Sequence, residues 1–188
     1  MKIDKIELCN LASLEGTHVI DFTQEPLRSA GLFAITGNTG AGKSTILDAI
    51  CLGLYGRAPR FENGERLRNL GLTADEDEKP VLASTDVRNI LRRGQTSGYS
   101  RITFSLSDGS TYEASWSVRQ KRTGTFDSVQ RSLKKLHPKQ EDYDAREVPE
   151  RIIGLIHLTY EQFTRTVILA QNSFANFLHA KQAEKSLL

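Results

Sequence analysis

The chain is poor in cysteine, methionine and tryptophan: two, one and one among 188 residues. Cys9 and Cys51 stand apart, with no Cys-x-x-Cys pair and no metal-ligand spacing. They read as buried free thiols of a reducing compartment, which argues against a disulfide framework and against zinc. No apolar run approaches the roughly 20 residues needed to span a bilayer. The opening Met1-Lys2-Ile3-Asp4-Lys5 lacks the apolar core of a secretory leader. A cytoplasmic protein without a membrane partner is the expectation.

What the chain does carry is a glycine loop set between apolar runs. Leu32-Phe33-Ala34-Ile35 leads into Gly37-Asn38-Thr39-Gly40-Ala41-Gly42-Lys43-Ser44-Thr45, the pattern of a phosphate-binding P-loop. The apolar run reads as a strand buried on both faces, as in a parallel sheet. After the loop, Ile46, Leu47, Ile50, Cys51 and Leu54 recur at helical spacing, and Gly56 with Pro59 supplies a stop. Strand, glycine loop and helix is the order the motif requires. Polyphosphate needs donors at close range, and glycines at 37, 40 and 42 let backbone N–H groups approach unobstructed. The helix N-terminus adds its dipole. Lys43 is suited to reach the β- and γ-phosphates as a flexible point charge, Ser44 to ligate the bridging Mg²⁺, and Thr45 to meet the α-phosphate. ATP with Mg²⁺ is the expected ligand.

At 38% hydrophobic and 26% charged, the chain has material for one domain with a sizeable core. Its net charge of +2 is unevenly spread: Arg88 to Lys139 holds eleven Lys/Arg against three acids, and Glu62 to Asp86 holds seven acids against three bases. Residues 2–9 and 17–23 alternate as half-buried strands that should pair antiparallel. Between them, Asn10 to Gly16 is either a plain hairpin loop or an element leaning over the nucleotide. Residues 60–98 look like a long excursion with little core, part of it mobile. From Tyr99 alternation resumes around an Asp108-Gly109 turn and a Thr123-Gly124 turn, giving an antiparallel meander over 99–137 with Trp116 in the core. Its basic positions, Lys121, Arg122, Lys134 and Lys135 among them, form either a solvated face or a surface for DNA phosphates. Val148, Ile152, Leu155 and Ile156 form a helical stripe, and Thr159 with Gln162 has the form of a capping box. Val167 to Ala170 reads as a second buried strand ending at Gln171, and a helix begins around Phe174, Phe177 and Leu178 with no stop signal before Leu188.

Several stretches together carry a resemblance: Lys2-Ile3 to Asn10-Leu11, Ile20-Asp21-Phe22-Thr23, Gly31 to Gly37, the P-loop continuing through Leu47 to Gly56, Tyr160 to Arg165, Leu169-Ala170-Gln171, and Phe174 to Leu178. They resemble the N-terminus of the SbcC family, ATPase subunits of bacterial DNA-repair nucleases within the ABC-type, SMC-like class. The resemblance implies an α/β fold, the N-terminal lobe of an ABC-type P-loop ATPase head, over residues 1–178. That lobe would combine a mixed sheet, the P-loop helix and the antiparallel meander, with a coiled-coil helix starting over 179–188. It maps the Q-loop glutamine, which touches Mg²⁺ and senses the γ-phosphate, onto Gln171. Lys43 and Gln171 then carry catalysis, and Ser44 and Gln171 hold the metal. Asn172 stands where a glycine is common, and Ala12 where some relatives carry an arginine near the nucleotide.

An ABC-type ATPase also needs a Walker B acid after an apolar strand and a serine-glycine-rich signature motif, and neither is present here. Asp75-Glu76 and Glu141-Asp142 follow polar or proline-containing stretches. In the SbcC family both elements lie in a C-terminal lobe beyond a long coiled coil. The implied partners are that lobe, a second copy of the head in an ATP-dependent dimer, an SbcD-type nuclease and double-stranded DNA, in a nucleoid-associated cytoplasmic complex. This stretch alone should bind ATP and hydrolyse almost none. The alternative is a self-contained P-loop kinase with Arg88, Arg92 and Arg93 as a lid, which lacks its Mg²⁺-binding acid. A nucleotide-independent scaffold is opposed by Lys43 and Ser44.

Overall fold

The computed structural model describes residues 1–62 and 82–168. Strands β1 (Lys2–Leu11) and β2 (Leu14–Asp21) pair antiparallel, as their alternation predicts. Both reach further into the connection than the periodicity suggests, so it shrinks to Ala12-Ser13. Simple alternation from Ile6 and Leu8 would turn Leu11 outward. A register shift between Cys9 and Leu11, with Asn10 at φ 53°, returns Leu11 to the core.

The meander follows as β3 (Ser97–Ser105), β4 (Thr111–Arg119), β5 (Gln130–His137) and a two-residue β6 (Glu141–Asp142). It does not form a separate unit. β3 pairs with the free edge of β1, giving one six-stranded sheet in the order β2-β1-β3-β4-β5-β6. Every pairing described in it is antiparallel. The Asp108-Gly109 turn forms as predicted: Gly109 takes φ 81°, and the Asp108 carboxylate accepts from the Ser110 N–H at 2.9 Å.

One face of the sheet carries the helices. Ile6, Leu8, Ile102, Phe104, Trp116 and Leu133 project from it, all essentially without solvent exposure. Helix α1 (Lys43–Tyr55) lies across β1, β3 and β4 and ends at Gly56 in the left-handed conformation, the stop foreseen from sequence. Its approach to the sheet is close enough that a Cβ at Gly53 would lie 2.5 Å from Ile102 Cγ1, and the Ser100 hydroxyl donates to the Ala49 carbonyl at 2.6 Å. Helix α2 (Val148–Ile156) starts with a proline in its first turn and buries Val148, Ile152 and Ile156. Helix α3 (Tyr160–Thr166) opens on the complete Thr159/Gln162 capping box.

Three expectations change. Leu32 to Ile35 form no strand. The segment is irregular, with Leu32 91% exposed and the Phe33 ring against Phe22 at 5.2 Å. A strand buried on both faces needs neighbours to pair with, and no described strand pairs with this one. The end of the 60–98 excursion is core, because Ile90 and Leu91 are buried and Leu91 bridges to Leu11. Val167 and Ile168 end helix α3 rather than beginning a strand, Val167 donating back to Phe163. Residues 63–81 of the 60–98 excursion, part of which is expected from sequence to be mobile, lie outside the described residues. So do Leu169-Ala170, Gln171 and the helix predicted beyond Phe174. Among the described residues no helix is long and apolar enough to cross a membrane.

Candidate nucleotide-binding site

Gly37, Gly40 and Gly42 all take positive φ, at 149°, 85° and 92°. Glycine adopts these conformations without strain. Gly42 occupies the N-cap position of α1 in the left-handed region, and no side chain caps the helix there. No acid sits in its first turn either. The leading N–H groups and the positive end of the dipole therefore have no internal anion, which is the electrostatic condition for holding phosphate.

Lys43 lies over this loop, donating to the Gly37 carbonyl at 2.6 Å and the Asn38 carbonyl at 2.8 Å. An ammonium has three N–H donors. Two fix its position above the loop and one is left for a phosphate oxygen. Ser44 is exposed at the helix start, accessible to a cation bridging that phosphate. Thr39 and Ala41 supply backbone to the loop, closed by a hydrogen bond from Ala41 N to Asn38 O at 3.1 Å. These residues fit Mg²⁺-ATP: glycine geometry, an uncapped helix N-terminus, a positioned cation and an accessible hydroxyl meet in one place.

Thr45 is placed differently from its neighbours. It is 2% exposed, and its hydroxyl accepts from the Arg60 guanidinium at 3.0 Å. Arg60 also donates through Nε to Asp48 at 2.6 Å, and Asp48 is 3% exposed. Burial pushes the Asp48 carboxyl above its ordinary value while Arg60 pulls it back. Sequence reading missed this trio; the signal was an acid at i+3 from Thr45 followed by Arg60 just past the helix stop. Cys51 is buried on the same helix, and burial holds its thiol far up, protonated and inert.

The β1–β2 turn leans on the loop. A Cβ at Gly42 would lie 2.6 Å from Leu14 Cδ2, so the Leu14 side chain rests against the P-loop. Asn10 to Gly16 is thus a tight hairpin connection, one of its two sequence readings, and Leu14 at its end packs on the P-loop. Arg92 braces the connection, donating to the Ser13 carbonyl at 2.9 Å and to Glu15 at 3.1 Å. Beside it Ala12, Asn89, Leu91, Arg92 and Arg93 line a cleft of about 360 Å³. Arg92 thus puts a guanidinium against the turn that holds Ala12, a role no local pattern announces.

The four basic candidates do not share one face. Lys134 lies opposite Glu113 and Lys135 opposite Tyr112, so alternation sends them to opposite sides of the sheet. Acidic partners are less scarce than sequence suggested: Lys121 pairs with Asp127 at 3.1 Å and Lys134 with Asp142 at 3.7 Å. Lys135 sits 5.8 Å from the Tyr112 ring, and Arg122 is exposed in the β4–β5 turn. Arg131 leaves the basic surface altogether: it is largely buried and donates to the Leu54 carbonyl at the end of α1.

Compared with known proteins, residues 5–187 match the family model described as AAA domain. The chain is 45% identical to the C subunit of the SbcCD nuclease of Pseudomonas aeruginosa and 44% identical to that of Rhodobacter capsulatus, in each case over 100% of this chain. It is 29% identical over 98% of its length to a probable DNA double-strand break repair Rad50 ATPase of Aquifex aeolicus. It spans 16%, 15% and 16% of these relatives. The likeness to SbcC and the α/β lobe of a P-loop ATPase head inferred from sequence both stand. The chain belongs to the AAA-domain family of P-loop ATPases.

Proposed function

We propose that this chain is the nucleotide-binding lobe of the ATPase subunit of a DNA-repair nuclease complex that processes DNA ends. One observation carries the reading: an uncapped helix N-terminus behind three positive-φ glycines, with Lys43 poised above them, in a chain similar throughout to the C subunit of the SbcCD nuclease. In this reading backbone N–H groups of Gly37 to Thr45 hold the phosphates, Lys43 turns its remaining donor to them, and Ser44 with Gln171 holds Mg²⁺. ATP with Mg²⁺ bound there supplies the γ-phosphate whose removal drives the cycle.

In this reading the C-terminal lobe of a second head covers the outer side of that phosphate and completes the site. Two heads then close over two nucleotides and open after hydrolysis, moving an SbcD-type nuclease relative to double-stranded DNA. Of the four basic residues named from sequence, Lys121, Arg122 and Lys134 are the candidates for the DNA phosphates, and Lys135 drops out because it faces the helix-covered side of the sheet. The complex is cytoplasmic and nucleoid-associated.

The test is the mass in solution of this lobe joined to its C-terminal lobe. With Mg²⁺ and a non-hydrolysable ATP analogue it should be dimeric; with ADP, or with Lys43→Ala, it should be monomeric. Dimers that form equally without nucleotide contradict the clamp.

A further inference from the structure

Thr45 follows Ser44 in the first turn of α1, and its hydroxyl is shielded from water. A hydroxyl has one proton to give and two lone pairs to fill. Arg60 Nη2 fills one lone pair at 3.0 Å. Among the described residues no acceptor takes the proton, so a buried donor stands unspent, which normally costs about 1–3 kcal/mol.

Arg60 cannot easily turn elsewhere. Its Nε is held by Asp48 Oδ2 at 2.6 Å and its backbone N–H points to Asp48 Oδ1 at 3.4 Å. Asp48 lies on the same helix face as Thr45, three residues on. Pro59–Phe61 is a tight 3₁₀ turn, with Ala58 and Phe61 buried at its ends. The guanidinium fork therefore spans two acceptors on one helix, a carboxylate and a hydroxyl, and a lysine's single ammonium does not reproduce that geometry.

We infer that Arg60 is a positioning residue for the nucleotide. By filling an acceptor lone pair of Thr45 it commits that hydroxyl to donate its proton to an α-phosphate oxygen on the P-loop. A hydroxyl that accepts from a cationic donor gives its own proton more strongly. The inference rests on Gly37 to Thr45 being the nucleotide site.

The test is a double-mutant cycle in the full-length protein, titrating Mg²⁺-ADP by calorimetry, with melting temperature measured for every variant. Arg60→Lys keeps a cation beside Asp48 but drops the fork, and should weaken ADP about tenfold. Thr45→Val, which removes only the hydroxyl, should do the same. In the Thr45→Val background, Arg60→Lys should cost less than about twofold further. Equal losses in both backgrounds overturn the inference, because Arg60 then acts without Thr45. Should Arg60→Lys fail to fold, Thr45→Val decides alone: unchanged ADP affinity overturns the proposal. A wild-type protein that binds no ADP, or a Lys43→Ala variant that binds it normally, overturns the site itself.

Discussion

At the scale of single residues, Gly42 has two separate reasons to be glycine. Its φ of 92° costs any other residue about 1–2 kcal/mol. An added methyl also meets Leu14 at 2.6 Å, and overpacking of that kind costs about 1–3 kcal/mol. Gly42→Ala should therefore destabilise the chain by about 2 kcal/mol or more in urea unfolding. Leu14→Ala in the same chain should recover the share due to the clash and leave the share due to φ. If Gly42→Ala costs the same with and without Leu14, the turn does not rest on the loop. The first reason was legible in the P-loop pattern. The second was not, because Leu14 is 28 residues earlier and its place depends on the β1–β2 pairing. The Thr45–Arg60–Asp48 trio was hidden for the same cause: each residue is ordinary alone, and only the turn after α1 brings them together.

Elements with local signals came through intact. The α1 helix and its Gly56 stop, the capping box of α3 and the Asp108-Gly109 turn all depend on residues within a few positions of one another. Leu32 to Ile35 did not, because a run of apolar residues says that it wants burial and not what will bury it. The basic meander shows the limit of counting charge along a strand. β5 alternates, so Lys134 faces the side of the sheet opposite the helices and Lys135 the side they cover. Among the described residues no helix packs on the Lys134 side, which is where the proposed function places a duplex. Lys134 is paired with Asp142 at 3.7 Å, and such surface pairs are worth only about 0–1 kcal/mol, too little to keep it from phosphate. In the assembled complex Lys134→Gln should lower the salt slope of DNA binding by about 1, and Lys135→Gln should leave it unchanged. Equal effects of the two, or an effect of Lys135→Gln alone, would place the DNA elsewhere.

For the whole molecule, the proposed nucleotide site sits at one end of α1. The antiparallel sheet, through Ser100 and the Gly53 approach, fixes the helix. The helix presents an uncapped N-terminus under the glycine loop, and the β1–β2 turn with Arg92 braces that loop from the side. The chain spans 16% of its Pseudomonas relative, and what the proposed function requires of it is nucleotide binding. The direct measurement is calorimetric titration of Mg²⁺-ATP into the wild-type protein and Lys43→Ala. One nucleotide should bind per P-loop, and Lys43→Ala should weaken binding by about tenfold to a hundredfold, since a charge-assisted contact to phosphate is worth about 1.5–3 kcal/mol. Equal affinity in the two proteins, or no binding to the wild type, would contradict the proposed site.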